Sequence, residues 1–348
     1  MATIAWIASG LARELTGIER LAINSIAACQ SLSSADQLII VDRDAEWPEA
    51  ITDGVQIVRV ARRHGGVGRP PRIASDPILS RPIAAHSFGA PFPSLFRGVA
   101  SKSYSVYDWG PFFDSSMGPP SRVAWCTAIV RGLISADLVH IMARATLAEA
   151  PPFVGILLNR RTIVDGLPYP LTSVADTAVS SASGRRESNL VLSVGSDVPR
   201  KRLGLIVSAC GPMPETRLIL VGRGTADLTV EPGGGASSSI VGLGHIGDLE
   251  LQELYQRATV LVLVSTYEGF GLPVLEAWQA GCRIVVTDAV ARRLPREIVA
   301  DATVVPTNVT AEHLRAAIQT CLGQGDATLS RQVEHGRTLC ETLVTRVA

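Results

Sequence analysis

The sequence predicts an α/β chain built on two parallel sheets, each covered by helices on both faces. Three observations carry that expectation. The chain has 348 residues, enough for two domains at roughly 150 residues each. Short apolar runs alternate with segments whose apolar residues recur at helical spacing, the pattern of parallel strands joined by crossover helices. A serine-rich, proline-bearing stretch from Pro168 to Ser188 then splits the alternation into two runs. Two such runs imply two Rossmann-like domains, whose ligands bind beyond the carboxyl ends of the strands.

The elements follow in order. Ile4–Ala8 reads as a strand, and Ile18, Leu21, Ala22, Ser25, Ile26 and Cys29 recur as one helix face. Leu38–Val41, Val55–Val60 and Tyr104–Val106 are the next strands, 122–136 a helix, and Leu138–Met142 and Thr162–Val164 further strands. After the break come the strand Leu190–Val194, a helix from about Lys201 to Cys210, and the strands Leu218–Val221 and Ile240–Val241. A helix over Leu249–Ala258, the strand Thr259–Ser265, a helix over Pro273–Ala280 and the strand Arg283–Thr287 complete the pattern.

Composition narrows the function. Lys+Arg and Asp+Glu are both 32, so the formal net charge is zero, which excludes the basic footprint of a general nucleic-acid binder. A hydrophobic share of 47% with 18% charged residues excludes intrinsic disorder. The longest apolar runs are strand-sized, far short of the ~20 residues of a membrane span. Met1–Trp6 carries no basic residue ahead of its apolar run, unlike a secretory signal. The six cysteines are scattered without a CxxC pair, so they read as reduced thiols of a cytoplasmic protein, not as a disulfide framework or zinc site. Of the 32 basic residues only Lys102 and Lys201 are lysines; a lysine in such a chain marks a place for a compact ammonium.

The sharpest motif is Ser265-Thr-Tyr-Glu268-Gly269-Phe270-Gly271-Leu272-Pro273-Val-Leu-Glu276. A buried strand ends, a glycine turn follows, and Pro273 opens a helix where proline is tolerated. Gly269 and Gly271 let backbone approach a ligand, and the helix start offers amides to an anion. The bland alternative makes Glu276 a partner of the helix dipole and Glu268 a loop carboxylate. Arg200, Lys201 and Arg202 bunch where a helix is expected to start, a place the dipole disfavours for cations. Either they are a solvated charge run or they meet a bound anion.

These residues resemble the retaining glycosyltransferases of family 4. Glu268 and Glu276 match its E-x7-E signature. In the same order, Val194-Gly195-Ser196-Asp-Val-Pro-Arg200-Lys201 is similar to its strand-loop-Arg-Lys element, and Leu220-Val-Gly222-Arg-Gly224 and the segment from Gly242 to Tyr255, which contains Ile246, to the next two. Leu294–Val299 is similar to a later Pro-Glu-Val segment, and Thr16-Gly17-Ile18 to the glycine turn beside the donor phosphates. The likeness is specific over about 190–305 and weak over 30–185.

The resemblance implies a GT-B fold, two Rossmann-like domains with a cleft between them. The acceptor domain would be 1–171, with a last helix at about 331–348 packing back on it, and the nucleotide-sugar domain 172–330. It implies metal-independent transfer of a hexose (mannose, glucose or rhamnose type) from a nucleoside diphosphate sugar to a hydroxyl of a glycan or lipid-linked acceptor, with retention, in cell-surface polysaccharide synthesis. No further cofactor is expected. Glu268, Lys201 and Arg200 would be the catalytic residues. Gly17, Gly195, Ile246, Gly269, Phe270, Gly271, Leu272 and Glu276 would line the donor.

Two departures from the family are plain. Tyr107, before Asp108, stands where the family usually has His, and Ser196 stands where many relatives have Arg, leaving the second charge to Arg200. They motivate an alternative, a non-catalytic nucleotide-sugar-binding subunit. Tyr107, Asp108 and His86 are candidates for the sugar or acceptor side, although a lone histidine is more often structural. Gly242-x-Gly244-x-x-Gly247 also fits the dinucleotide fingerprint of an NAD-dependent oxidoreductase, but too little chain follows for that architecture. Asp42-Arg43-Asp44 resembles the D-x-D that binds a metal and nucleotide in the other large glycosyltransferase fold, but standing alone among other acids it reads as a surface turn. The segment 59–102 holds eight basic residues against Asp76; it is either a solvated loop or a surface for an anionic lipid-linked acceptor or for headgroups on the inner face of the membrane.

Overall fold

The computed structural model describes residues 3–8, 17–32, 36–42, 55–60, 82–89, 99, 101–113, 119–158, 162–164, 186–229 and 238–324. Two compact units are built on Met1–Ser173 and Val174–Val333. The expected helix at 331–348 lies outside the described residues, as does most of the basic segment between Val60 and Pro82.

The first unit is a parallel sheet of β1 (Thr3–Ile7), β2 (Asp36–Asp42), β3 (Val55–Val60), β4 (Pro82–Ser87), β5 (Ser101–Val106), β6 (Leu138–Ile141) and β7 (Thr162–Val164). Its strand order is β3-β2-β1-β4-β5-β6-β7. Side-chain alternation explains why β1 and β2 carry continuous apolar runs: both of their faces are buried. Ile4, Trp6, Ile39 and Val41 pack with Ala22, Ile26 and Cys29 of helix α1 (Gly17–Leu32). Ala5, Ile7, Leu38 and Ile40 belong to the opposite core, which holds Ile129 and Leu133 of α2 (Pro119–Ser135).

One expectation fails here. The segment 59–102 is not irregular throughout, because Pro82–Ser87 forms the strand β4 between β1 and β5. Alanine, proline and serine are poor strand formers, and burial on both sides overrides that preference. His86 therefore lies at 0% exposure inside the sheet. Its Nδ1 bonds Ser103 Oγ at 2.8 Å and its Nε2 bonds Ser105 Oγ at 3.0 Å. Ser105 Oγ also lies 3.3 Å from His140 Nδ1. The candidate acceptor-side histidine is thus part of a buried polar seam across β4, β5 and β6.

The second unit repeats the plan. Its strands are β8 (Glu187–Val194), β9 (Arg217–Val221), β10 (Ser239–Gly244), β11 (Ala258–Leu263), β12 (Arg283–Thr287) and β13 (Ala302–Val305). They run parallel in the order β10-β9-β8-β11-β12-β13. Val191, Leu218, Leu220, Val260, Val262 and Val285 form one core with α3 (Leu203–Cys210) and a C-terminal helix, Ala311–Leu322. In this sheet the chain reverses direction of winding between β8 and β11. Such a switch point opens a crevice at the carboxyl ends of the two central strands.

The buried seam sets a pH dependence. Burial, with a smaller contribution from His140, holds His86 well below its ordinary value. Burial alone brings His140 to about 4 from 6.5. The unfolded chain therefore binds more protons than the folded one between these values, so stability falls as pH drops below about 6.5. For His140 alone the loss between pH 7 and pH 5 should be about 2 kcal/mol. Urea unfolding at the two pH values checks it, and a flat profile would contradict neutral burial.

Candidate active site

The turns that leave β8 and β11 carry the charged residues singled out by sequence. After β8, Pro199–Lys201 makes one 3-10 turn, Arg202 turns left-handed at φ 53°, and α3 begins at Leu203. The helix thus starts two residues later than expected. Arg200 and Lys201 precede it, and the Glu268 carboxylate offsets the unfavourable dipole at that end. The three cations also part company. The guanidinium of Arg202 donates to the carbonyls of Thr307 and Val309, so it fastens a loop and does not join the other two.

Arg200 and Lys201 converge on Glu268. Lys201 Nζ lies 2.5 Å from Oε1 and Arg200 Nη1 lies 3.2 Å from Oε2. The side chains of Glu268 and Lys201 are only 8% and 10% exposed, while that of Arg200 is 40% exposed and forms the open edge. Ser265 Oγ donates to Oε1 at 2.5 Å. Thr287 Oγ1 donates to the Ser265 carbonyl at 2.6 Å, which ties the turn to the end of β12. Arg200 spans the same turn, its Nη1 donating to the Tyr267 carbonyl at 3.0 Å. Beneath the turn, the Arg293 guanidinium stacks 4.6 Å over the Tyr267 ring.

Charge states follow from these contacts. Burial by itself raises the Glu268 carboxyl, but Lys201, Arg200 and the hydrogen bonds from Lys201 and Ser265 outweigh it and hold the group below its ordinary value. Burial pulls the Lys201 ammonium down, and Glu268 opposes the pull. The cluster is one carboxylate between two cations, with a net charge of +1. Ser265 donates to a carboxylate that two cations hold below its ordinary value, a base too weak to activate a hydroxyl as a nucleophile.

Glycine makes the space. The Lys201 stem passes over Gly195, where a Cβ would sit 3.1 Å from Lys201 Cε. Gly195 N donates to Val221 O at 2.7 Å, and Gly222 N to Gly244 O at 2.7 Å, so the turns after β8, β9 and β10 are stitched side by side. A Cβ on Gly222 would stand 2.3 Å from the Gly195 carbonyl oxygen.

Gly271, at φ 94°, ends the Glu268 turn and caps α4 (Leu272–Gln279), which follows Gly269 and Phe270. Gly271 and Leu272 thus bring backbone amides to a helix start at the same end of the sheet. Glu276, one turn inside α4, accepts a 2.8 Å bond from Tyr255. Tyr255 lies on α5 (Asp248–Arg257), which precedes β11 and α4 in the chain. Ile246, half-buried, follows β10 just ahead of α5.

The remaining candidates lie apart in the chain. Gly17 opens α1, and the turn before it lies outside the described residues. Asp108 Oδ1 accepts the Gly110 amide at 2.7 Å, a local turn bond. Tyr107 packs against the α1-side core. Asp42 ends β2, and Asp44 lies outside the described residues. The Gly242–Gly247 fingerprint falls on β10, an edge strand, away from the β8/β11 switch point. Sequence spacing gave no sign of Tyr255, Thr287 or Arg293, each distant in the chain from the residue it holds. Ser265 was within the motif, but its bond to Glu268 was not readable from it.

Comparison with known proteins falls on this same region. Residues 188–324 match a family profile described as Glycosyl transferases group 1. Over 141 residues the chain is 37% identical to the O-antigen chain mannosyltransferase B of Escherichia coli, a match that takes in 37% of this chain and 36% of that protein. The matched stretch thus spans about a third of the relative's length. Among solved structures, WaaG, a glycosyltransferase involved in lipopolysaccharide biosynthesis, superposes with a TM-score of 0.58 at 15% identity, covering 99% of this chain and 95% of its own. Anabaena HepE in complex with UDP and glucose gives 0.61 at 16% identity, covering 100% and 97%. The fold is that of the GT-B glycosyltransferases.

The glycine shelf makes its own prediction. Gly222→Ala should destabilise the second unit by roughly 2 kcal/mol, because the clash is with backbone and the left-handed φ adds strain. Thermal unfolding reads it; an unshifted transition would show that the two turns are not packed as described.

Proposed function

We propose that this chain is a retaining glycosyltransferase. In this reading it moves a hexose from a nucleoside diphosphate sugar to a hydroxyl of a glycan or lipid-linked acceptor in cell-surface polysaccharide synthesis. The observation that carries it is the Arg200–Lys201–Glu268 cluster at the switch point of the second unit, with Lys201 and Glu268 buried and Arg200 at its open edge. A polyanionic leaving group needs fixed positive charge beside it, and a partly dry site at a strand end makes that charge effective. The group 1 profile over the same residues and the 37% identity to a mannosyltransferase support the reading, and mannose-type donors are the first to test.

The second unit holds the donor and the first unit the acceptor. Arg200 and Lys201 bind the diphosphate, helped by the amides of Gly271 and Leu272. Glu268 contacts the hydroxyls of the transferred sugar and Glu276 those of the ribose. The acceptor hydroxyl attacks the anomeric carbon on the face that the diphosphate leaves. The new C–O bond forms as the bond to the phosphate oxygen breaks, and that phosphate takes the acceptor's proton. Such a step depends on positioning and charge stabilisation more than on a tuned base. Arg200 and Lys201 supply the charge that a metal provides in other transferases, so none is required. In this reading the reaction takes place in the cytoplasm, where nucleotide sugars are the donors.

Turnover with a panel of nucleoside diphosphate hexoses, followed by proton NMR of the product anomer, tests the activity. Lys201→Ala should lower kcat/KM by roughly 10²–10³, as loss of one oxyanion donor does. Lys201→Arg should recover only part, because a guanidinium is larger and planar. Near-normal turnover of the alanine variant would remove Lys201 from the mechanism.

A further inference from the structure

We propose that Glu268 is a resident anion, one that occupies the cation pair between turnovers and must be displaced by the donor's diphosphate. The inference rests on the donor-site reading above and adds a control of product release to it. The carboxylate spans both cations, at 2.5 Å from Lys201 and 3.2 Å from Arg200. Among the described ion pairs, Arg200 and Lys201 meet no other carboxylate. Each oxygen of Glu268 faces one cation, the arrangement two phosphate oxygens would adopt in its place.

The pair is built to part. Lys201 stands on a single 3-10 turn and Glu268 on the turn between Leu263 and Leu272, so separating them breaks no helix or sheet ladder. Ser265 keeps its own bond to Oε1. When the cations move to the phosphates, that hydroxyl still anchors Glu268 beside the sugar. Once the sugar has left, the carboxylate has no hydroxyls to hold and returns to the cations, competing with the bound nucleoside diphosphate. Glu268 thus weakens product binding and speeds its release.

Calorimetric titration of the parent and Glu268→Gln with UDP, GDP, dTDP and ADP tests this. For the nucleotide that binds the parent, the Gln variant should bind roughly ten- to hundredfold tighter, the scale of one lost charge-assisted hydrogen bond. Its dissociation by stopped flow should slow by a similar factor. Its unliganded melting temperature should fall and its rise on nucleotide addition should exceed the parent's, because the buried Lys201 ammonium loses its counter-charge. Glu268→Asp keeps the charge and protects the fold, and its affinity should lie between those of the parent and the Gln variant. Unchanged or weaker binding in both variants would overturn the proposal while leaving the donor site standing. Failure of the parent itself to bind any of the four nucleotides would overturn the donor-site reading and the proposal with it.

Discussion

The ion cluster of Glu268, Lys201 and Arg200 is the constraint around which the second unit is arranged. Taking charges out of water is costly, and removing one partner of a buried pair costs about 3–5 kcal/mol. Two nearly buried groups of opposite sign are tolerated here because each oxygen of the carboxylate is met, one by Lys201 and Ser265 and the other by Arg200. Several otherwise unrelated features serve that geometry. Gly195 leaves room for the Lys201 stem, Thr287 pins the carbonyl of Ser265, and Arg202 turns away to hold another loop.

The sheet explains why these residues meet at all. Lys201 and Glu268 are far apart in sequence, yet β8 and β11 are neighbours and run in parallel, so their carboxyl ends lie side by side. The helices after them leave in opposite senses because the winding reverses there. Turns in that crevice face each other without a helix between them. The stitched amides of Gly195 and Gly222 then extend the shelf outward under β9 and β10. A fold of this kind places chemistry on its turns and leaves the strands to apolar packing, and the Val, Ile and Leu of β8 to β12 do little else.

Much of this was legible in the sequence, and what was not has a physical reason. Leu190–Val194, Leu218–Val221, Thr259–Leu263 and Arg283–Thr287 carry runs rich in β-branched and leucine residues with local glycine turns nearby, so these strands could be read directly, whereas β13 was not among the strands read. The charged residues of the site stand out because a buried strand end rarely carries Glu, Arg and Lys. The strand β4 escaped notice because Pro82, Ala84, Ala85 and Ser87 have weak local preference, and only contact with β1 and β5 makes them a strand. The partners that give His86 the structural role the sequence favoured could not be read for the same reason, since Ser103 and Ser105 belong to another strand. The helix expected at Lys201 begins at Leu203 because Arg202 adopts a left-handed conformation that no local pattern announces. Tyr255 and Glu276 meet across two helices, and a distance of that kind has no signature in spacing.

In the proposed function the cation pair reads a diphosphate. The most direct measurement compares, in the unmodified protein at one salt concentration, the affinity for a nucleoside diphosphate with that for the matching nucleoside monophosphate. Two fixed cations at a buried strand end should favour the diphosphate by at least about a hundredfold, through charge-assisted hydrogen bonds to its second phosphate. Equal affinity for the two nucleotides would mean that Arg200 and Lys201 serve Glu268 alone, and would contradict the account.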